Sequence, residues 1–271
     1  MNQTDETGLS VIVPTWNEAA NLLVLLPRIA AALSTLGCPC EVLVVDDDSP
    51  DGSARVAAEL AAEFTATQHI PTRVLVRCGA RGLASAVVDG ARNARYPVVA
   101  VLDADLSHDP AALFEITAPV LDGRFDVVIG SRYVAAGSIG RWPRLRRLTS
   151  GLGTRLARAL TAVRDPLSGF FAARRDLVDA SSLPLAPRGY KILLEILARS
   201  RGRLRVGEVP IRFEDRRAGA SKFGARQAGE FLLQLSALAC SRIRPHRTTA
   251  RRVASARRLS TDLPESQEAC R

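Results

Sequence analysis

Short aliphatic runs alternate with longer amphipathic stretches through the first half of the chain. Leu9 to Val13, Glu41 to Val45, Arg73 to Arg77, Val98 to Leu102 and Asp126 to Ile129 each predict a strand. Between them, Glu18 to Leu36 predicts a helix with Asn17 as its cap. Ser49 and Asp51 open a second helix, Gly82 to Arg95 predicts a third, and Pro110 starts a fourth. The runs VIV, VLVV and VVAVL carry no polar alternation, as expected of strands covered on both faces. Strands alternating with helices of this length argue for an α/β fold with a mostly parallel sheet flanked by helices.

The second half is less regular. Leu145 to Val163 predicts a strongly basic helix, Gly169 to Ala173 and Leu204 to Ile211 predict strands, and Tyr190 to Arg199 predicts a helix. Gln227 to Arg242 carries an apolar stripe of Phe231, Leu232, Leu235, Leu238 and Ala239, the pattern of an amphipathic helix. The Arg-, Ser- and Thr-rich stretch after Pro245 is expected to be disordered. The division expected is a catalytic domain over 1–225, an amphipathic helix over 226–244 and a basic tail over 245–271.

Ligands of such sheets bind beyond the carboxyl ends of the strands, and three polar clusters stand there. Asp103-Ala104-Asp105 ends the fourth strand, and carboxylates one residue apart on an extended segment point the same way. They suit a hard cation shared with substrate phosphates, although acidic pairs are also common in solvated loops. Asp46-Asp47-Asp48-Ser49-Pro50-Asp51-Gly52 follows the second strand. Three consecutive acids repel unless something positive lies near. Asp47 is read as the ligand contact, with Ser49 or Asp51 as helix caps and Pro-Asp-Gly as a turn. After the first strand, Pro14-Thr15-Trp16-Asn17-Glu18 offers Trp16 as a flat surface and Glu18 as an acceptor, or else a turn with Trp16 in the core.

Taken in order, these clusters resemble the family 2 glycosyltransferases, and within them the dolichol- or polyprenol-phosphate mannose synthases, from about Leu9 to Ser241. The motif PTYNE appears as Pro14 to Glu18, DDxSPDG as Asp46 to Gly52, DADLSH as Asp103 to His108, GSRY as Gly130 to Tyr133, and R-x-x-G-x-SK as Arg216 to Lys222. The resemblance implies a GT-A-like, Rossmann-type sheet. It implies a nucleotide pocket lined by Pro14, Trp16, Glu18, Val45 and Asp47, with Asp103, Ala104 and Asp105 meeting ribose, metal and diphosphate. Asp103 and Asp105 would be the metal ligands for Mg²⁺ or Mn²⁺. Arg132 would face the sugar or phosphates, and Arg216 and Lys222 would clamp phosphate, so that Asp105, Arg216 and Lys222 carry the catalysis. The donor implied is GDP-mannose and the acceptor a polyprenyl or dolichyl phosphate, with inversion. A UDP-glucose donor and a soluble or protein acceptor are the alternatives within the family, and Asp165 to Phe171 favours the lipid phosphate by resemblance. Trp16 replaces the more frequent Tyr, Asp48 adds an acid, and Ser107 stands where archaeal relatives tend to carry Gln. An acceptor that is already anionic needs little general-base help, so no catalytic base is expected.

Composition narrows the setting. The 271 residues carry a formal charge of +9, which calls for a polyanionic partner. Arg141 to Arg164 holds seven arginines and no acid, as does Arg242 to Arg258, a pattern that anionic headgroups attract. Met1 to Ser10 is no signal peptide, and no apolar run reaches the roughly 18 residues of a spanning helix. Peripheral contact with an anionic membrane on its cytoplasmic face is therefore expected, with a separate membrane-spanning protein as a partner suggested by some relatives. The five cysteines, Cys38, Cys40, Cys78, Cys240 and Cys270, form no zinc pattern and read as reduced thiols. A dinucleotide-dependent oxidoreductase would want GxGxxG after the first strand, where PTWNE stands instead. A basic nucleic-acid-binding protein is the non-enzymatic alternative, opposed by an aromatic content of only 5% and the lack of a binding module.

Overall fold

The computed structural model describes residues 7–67, 70–79, 81–135, 137–139, 144–183, 185, 191–213 and 225–243. Arg216 and Lys222, with their whole motif, and the tail after residue 243 lie outside the described residues.

The first half follows the aliphatic pattern closely. In order come β1 (Leu9–Thr15), α1 (Ala19–Leu33), β2 (Cys40–Asp46), α2 (Ser53–Thr67), β3 (Thr72–Val76), α3 (Leu83–Asn93) and β4 (Val98–Val101). A single turn of 3₁₀ helix, Pro110–Ala112, is capped by Asp109, whose Oδ1 accepts from Ala111 N at 3.1 Å, and leads into α4 (Leu113–Leu121) and β5 (Val127–Ser131). The second half adds β6 (Ser138–Ile139), α5 (Arg144–Arg158), β7 (Phe171–Arg174), the single-turn α6 (Arg175–Val178), α7 (Ile192–Ser200), β8 (Val206–Pro210), β9 (Arg212–Phe213) and α8 (Ala225–Ile243).

Seven strands form one sheet in the order β3-β2-β1-β4-β7-β5-β8, while β6 and β9 pair separately. Of its six ladders, four are parallel and the two flanking β7 are antiparallel. Because β7 runs against both β4 and β5, those two share one direction. The carboxyl ends of β1, β2, β4 and β5 thus open on a single edge, where the polar clusters stand.

Side-chain alternation divides the core in two. Leu9, Val11 and Val13 of β1 face α1, α2 and α4, joined by Val42, Val44, Ala100 and Phe170. Ile12, Val45, Val99, Val101 and Ile129 face the other way, under α3, α6 and α7. On α1, Leu22, Leu25, Leu26, Ile29 and Leu33 form a buried stripe, each contributing about 2 kcal/mol relative to exposure. Helix α3 lies so close to the sheet that a Cβ on Gly90 would meet Ile12 Cγ2 at 2.6 Å.

A smaller third cluster joins the second half: Ala157, Leu160 and Leu167 pack with Leu194 and Ala198 of α7 and Phe231 and Leu238 of α8. Four of the five members of the α8 stripe therefore face the protein itself, Leu235 and Ala239 being partly buried there. Leu232 departs from the expected stripe and stays exposed beside Leu233, because the packing face of α8 is narrower than the apolar pattern. No described helix is long and apolar enough to cross a membrane.

Candidate active site

The loops after β1 and β2 are stitched together by side chains. Asn17 N donates to Ser49 Oγ at 3.0 Å, Glu18 N to Ser53 Oγ at 2.9 Å, and Ala19 N to Asp51 Oδ2 at 3.0 Å. Helix α1 is therefore capped from the second loop and not by Asn17, which stands one residue before the cap position at φ 56°. Asp51 also accepts from Ser53 N at 3.0 Å and Ser53 Oγ at 2.6 Å, so one carboxylate serves the first turns of two helices. Burial raises its pKa, but the Ser53 hydroxyl and the Ala19 and Ser53 N–H groups outweigh that and hold it below the ordinary value. Asp46 spends both oxygens on Ser49, from N at 2.8 Å and Oγ at 2.7 Å.

Pro14 and Val45 are buried register partners on β1 and β2. Trp16 is half-buried, with the Arg81 guanidinium stacked 4.0 Å above its ring. Glu18 accepts from Asn21 Nδ2 at 2.6 Å. Asp47 is buried, and both of its oxygens meet protein donors: Arg77 Nη1 on Oδ1 and Gly82 N on Oδ2, each at 2.8 Å. Burial lifts the Asp47 carboxyl above its usual value, against the pull of the Gly82 N–H and of Arg77. Arg77 also reaches Asp89 at 3.0 Å and Ser85 at 2.7 Å. The acidic run thus has the nearby positive charge its self-repulsion demands. That demand was the one sign in the sequence pointing to Arg77 and Arg81.

Past β4 the chain does not stay extended. Asp105 is buried and accepts from Ser107 N at 3.1 Å, which folds the segment into a turn with Leu106 at φ 60°. The segment therefore departs from extended-strand geometry: Asp103 keeps a quarter of its side chain exposed, while Asp105 and Ala104 lie inside. A left-handed leucine costs about 1 kcal/mol or more. Asn17, Asp48 and Leu106, one in each strand-end loop, all have positive φ. Asp103 Oδ1 and Ser107 Oγ are buried without a hydrogen-bond partner. His108 is buried between the rings of Phe170 and Phe213, with Nε2 3.8 Å from Asp103 Oδ2.

This donor set fits a hard divalent cation. Orphaned carboxylate and hydroxyl oxygens beside a second carboxylate are oxygen ligands awaiting a partner. Among the described residues no group of three or more His, Cys, Asp or Glu could hold a metal unaided. Such an ion would complete its shell from water and substrate phosphates, as Mg²⁺ commonly does.

The far wall comes from the segment between α5 and β7. Asp165 is fully buried and grips Arg132 through three bonds: from N at 3.0 Å, Nε at 2.8 Å and Nη2 at 2.8 Å. Burial works against the Arg132 charge, but Asp165 more than compensates, so the guanidinium stays charged. Glu208 of β8 holds the same segment by accepting from Arg164 N at 2.8 Å and Asp165 N at 3.0 Å. Gly169 lies against Asp103, since a Cβ there would collide with Asp103 Oδ2. Lys191, just before α7, sends Nζ to Leu167 O at 2.9 Å. Burial pulls its pKa down, while the charges of Asp103, Asp165 and Asp105 pull it up, so it belongs to the same electrostatic cluster. Neither Asp165 nor Lys191 stood out as a ligand contact from residue type, because each partner lies far along the chain.

Residues 10–181 match the model of the family described as Glycosyl transferase family 2. The dolichol-phosphate mannosyltransferase of Pyrococcus furiosus is 40% identical over 228 residues, 83% of this chain and 61% of that protein. That of Saccharomyces cerevisiae is 35% identical over 236 residues, 84% of this chain and 86% of that protein. Among solved structures, glucosyl-3-phosphoglycerate synthase from Mycobacterium tuberculosis, in complex with Mn²⁺, UDP-glucose and phosphoglyceric acid, superposes with a TM-score of 0.61 at 22% identity, over 89% of this chain and 81% of that one. The same synthase has been solved with Mg²⁺ and UDP. The seven-stranded sheet is thus shared with solved glycosyltransferases, and the family match runs through the strand-end clusters as far as Arg132 and Asp165: the chain belongs to glycosyl transferase family 2.

Proposed function

We propose that the chain transfers a mannosyl group from GDP-mannose to a dolichyl or polyprenyl phosphate. The reading is carried by the orphaned, buried Asp103 Oδ1 beside Asp105, facing a wall that brings Arg132 and Lys191 to the same edge. The relatives named dolichol-phosphate mannosyltransferases supply the sugar and the acceptor class. Asp103 and Asp105 would hold Mg²⁺ or Mn²⁺, and a cation bound there supplies positive charge opposite the leaving diphosphate. Pro14, Trp16, Glu18, Val45 and Asp47 would line the base and ribose pocket, with Asp47 already set in place by Arg77 and Gly82. Arg132, and Arg216 and Lys222 from beyond the described residues, would neutralise phosphate oxygens.

In the reaction an acceptor phosphate oxygen attacks the anomeric carbon opposite the nucleotide. The bond from that carbon to the diphosphate oxygen breaks, GDP departs with the electron pair, and the configuration inverts. The acceptor arrives deprotonated, so no side chain has to remove a proton. The lipid substrate implies work at a membrane surface, and we propose its cytoplasmic face. Exposed Leu152 and Leu156 on α5 and Leu232 and Leu233 on α8, with the arginine runs, provide the means of contact.

The test is a transfer assay with a panel of nucleotide sugars, with and without polyprenyl phosphate and Mg²⁺. Mannosyl transfer from GDP-mannose that requires both is expected. A preference for UDP-glucose would replace the donor assignment, and transfer to water alone would remove the lipid acceptor.

A further inference from the structure

The segment from Asp165 to Phe170 does more than hold Arg132. Within six residues it presents a carboxylate to Arg132, a carbonyl to Lys191 and a glycine face to Asp103, while Ser168 Oγ donates to Gly130 O at 2.7 Å. Lys191 is the point where this segment meets the helices behind it. Its Nζ is fixed on Leu167 O at 2.9 Å, and its own carbonyl accepts from Gln234 Nε2 of α8 at 3.3 Å. The ammonium answers to Asp103, Asp165 and Asp105, and is opposed by the neighbouring Arg132. Asp103 has one oxygen with no hydrogen-bond partner, and its other oxygen lies against Gly169 of this segment.

We infer that Lys191 is a positioning residue for the transfer reaction: its Nζ, anchored on Leu167 O, fixes the segment from Asp165 to Phe170, and through it the Arg132 guanidinium and the Asp103 carboxylate, in one arrangement around the donor's diphosphate. This rests on the reading of the site as a nucleotide-sugar pocket. One hydrogen bond to Leu167 O is a small return for burying an ammonium. Burial works against the ammonium more than the nearby carboxylates support it, so a neutral chain of the same length relieves the fold of that burden. The bond to Leu167 O serves the site instead, fixing the segment whose Asp165 grips Arg132 and whose Gly169 lies against Asp103.

The experiment compares the full chain with Lys191→Met and Lys191→Arg. Lys191→Met should lower kcat for mannosyl transfer at least about 30-fold while donor KM moves less than about threefold. Its melting temperature should stay within about 2 °C of the parent or rise. Calorimetric titration with GDP, which involves no turnover, should need at least about fivefold more Mg²⁺ for half-maximal binding. Lys191→Arg keeps the charge and should retain kcat within about tenfold of the parent, although its fork fits a carbonyl differently. A Lys191→Met chain with kcat within about threefold of the parent overturns the inference. So does a loss of activity matched by a fall in melting temperature beyond about 5 °C, which would mark a structural lysine. If the parent chain itself transfers no sugar, the proposed reaction fails. The Mg²⁺ requirement for GDP binding then still decides the matter, and equal requirements in parent and variant overturn the role of Lys191.

Discussion

Replacing Asp165 by Asn removes one negative charge and little volume from the wall of the site. The carboxylate is completely buried, and its partner Arg132 keeps only 9% of its side-chain surface. Three bonds from Arg132, between 2.8 and 3.0 Å, converge on the two oxygens. An asparagine retains one acceptor, but its amide group turns N–H bonds toward the guanidinium N–H groups. Breaking a buried pair on one side leaves an uncompensated charge and costs about 3–5 kcal/mol. For a folded unit of this size, 1 kcal/mol corresponds to about 2–4 °C, so Asp165→Asn should melt roughly 6–20 °C below the parent. Arg132→Met should lose a similar amount. The double variant Arg132→Met with Asp165→Leu should recover at least about 2 kcal/mol relative to the sum of the singles, since neither charge is then stranded. Its transfer activity should nevertheless remain lost. Thermal and urea melts of the four proteins measure the cycle. Single variants that melt within about 2 °C of the parent, or a double variant whose cost is the plain sum, would refute the reasoning.

Three further outcomes follow from the same geometry. Gly169→Ala places a methyl group on Asp103 Oδ2, so it should lower kcat at least about 100-fold with only a small effect on overall stability, checked by kinetics beside a melt. Asp51→Ala uncaps the first turns of α1 and α2 and should cost about 1–3 kcal/mol in urea unfolding, whereas Asn17→Ala loses no cap and should cost only about 1 kcal/mol, the strain of an alanine at its positive φ. In acid, Asp126 is held below its ordinary value of 3.8 by the Arg205 side chain above all, so its stabilising contribution is present above that value and lost as pH falls below it. Melting temperature should therefore be flat from about pH 5 to pH 8 and fall below about pH 4, with a shallower fall in Asp126→Asn.

The reach of the amino-acid pattern differs from element to element. Unbroken aliphatic runs announce β1, β2 and β4 because a strand covered on both faces has no polar position. Helices α1 to α4 declare themselves because 3.6-residue periodicity is a local property. The strand-end clusters from Pro14 to Glu18, Asp46 to Gly52 and Asp103 to His108 are legible for the same reason: each is contiguous, and the end of a parallel strand is a known address. The β7 reversal is different, since its residues read as a strand whichever neighbour it pairs with, and only the closed sheet places it antiparallel between β4 and β5. The caps of α1 are also decided in three dimensions, with donors on one loop and acceptors some 32 to 35 residues later on another. The turn at Leu106 sets the Asp103 to Ser107 segment outside the alternation rule, which holds only for extended backbone. Arg132 with Asp165, Arg77 with Asp47, and Lys191 with Leu167 are separated by 33, 30 and 24 positions. Charge pairing and burial depend on distance in space, and distance in space is fixed by packing of the whole sheet, so those partners emerge only once the chain has folded.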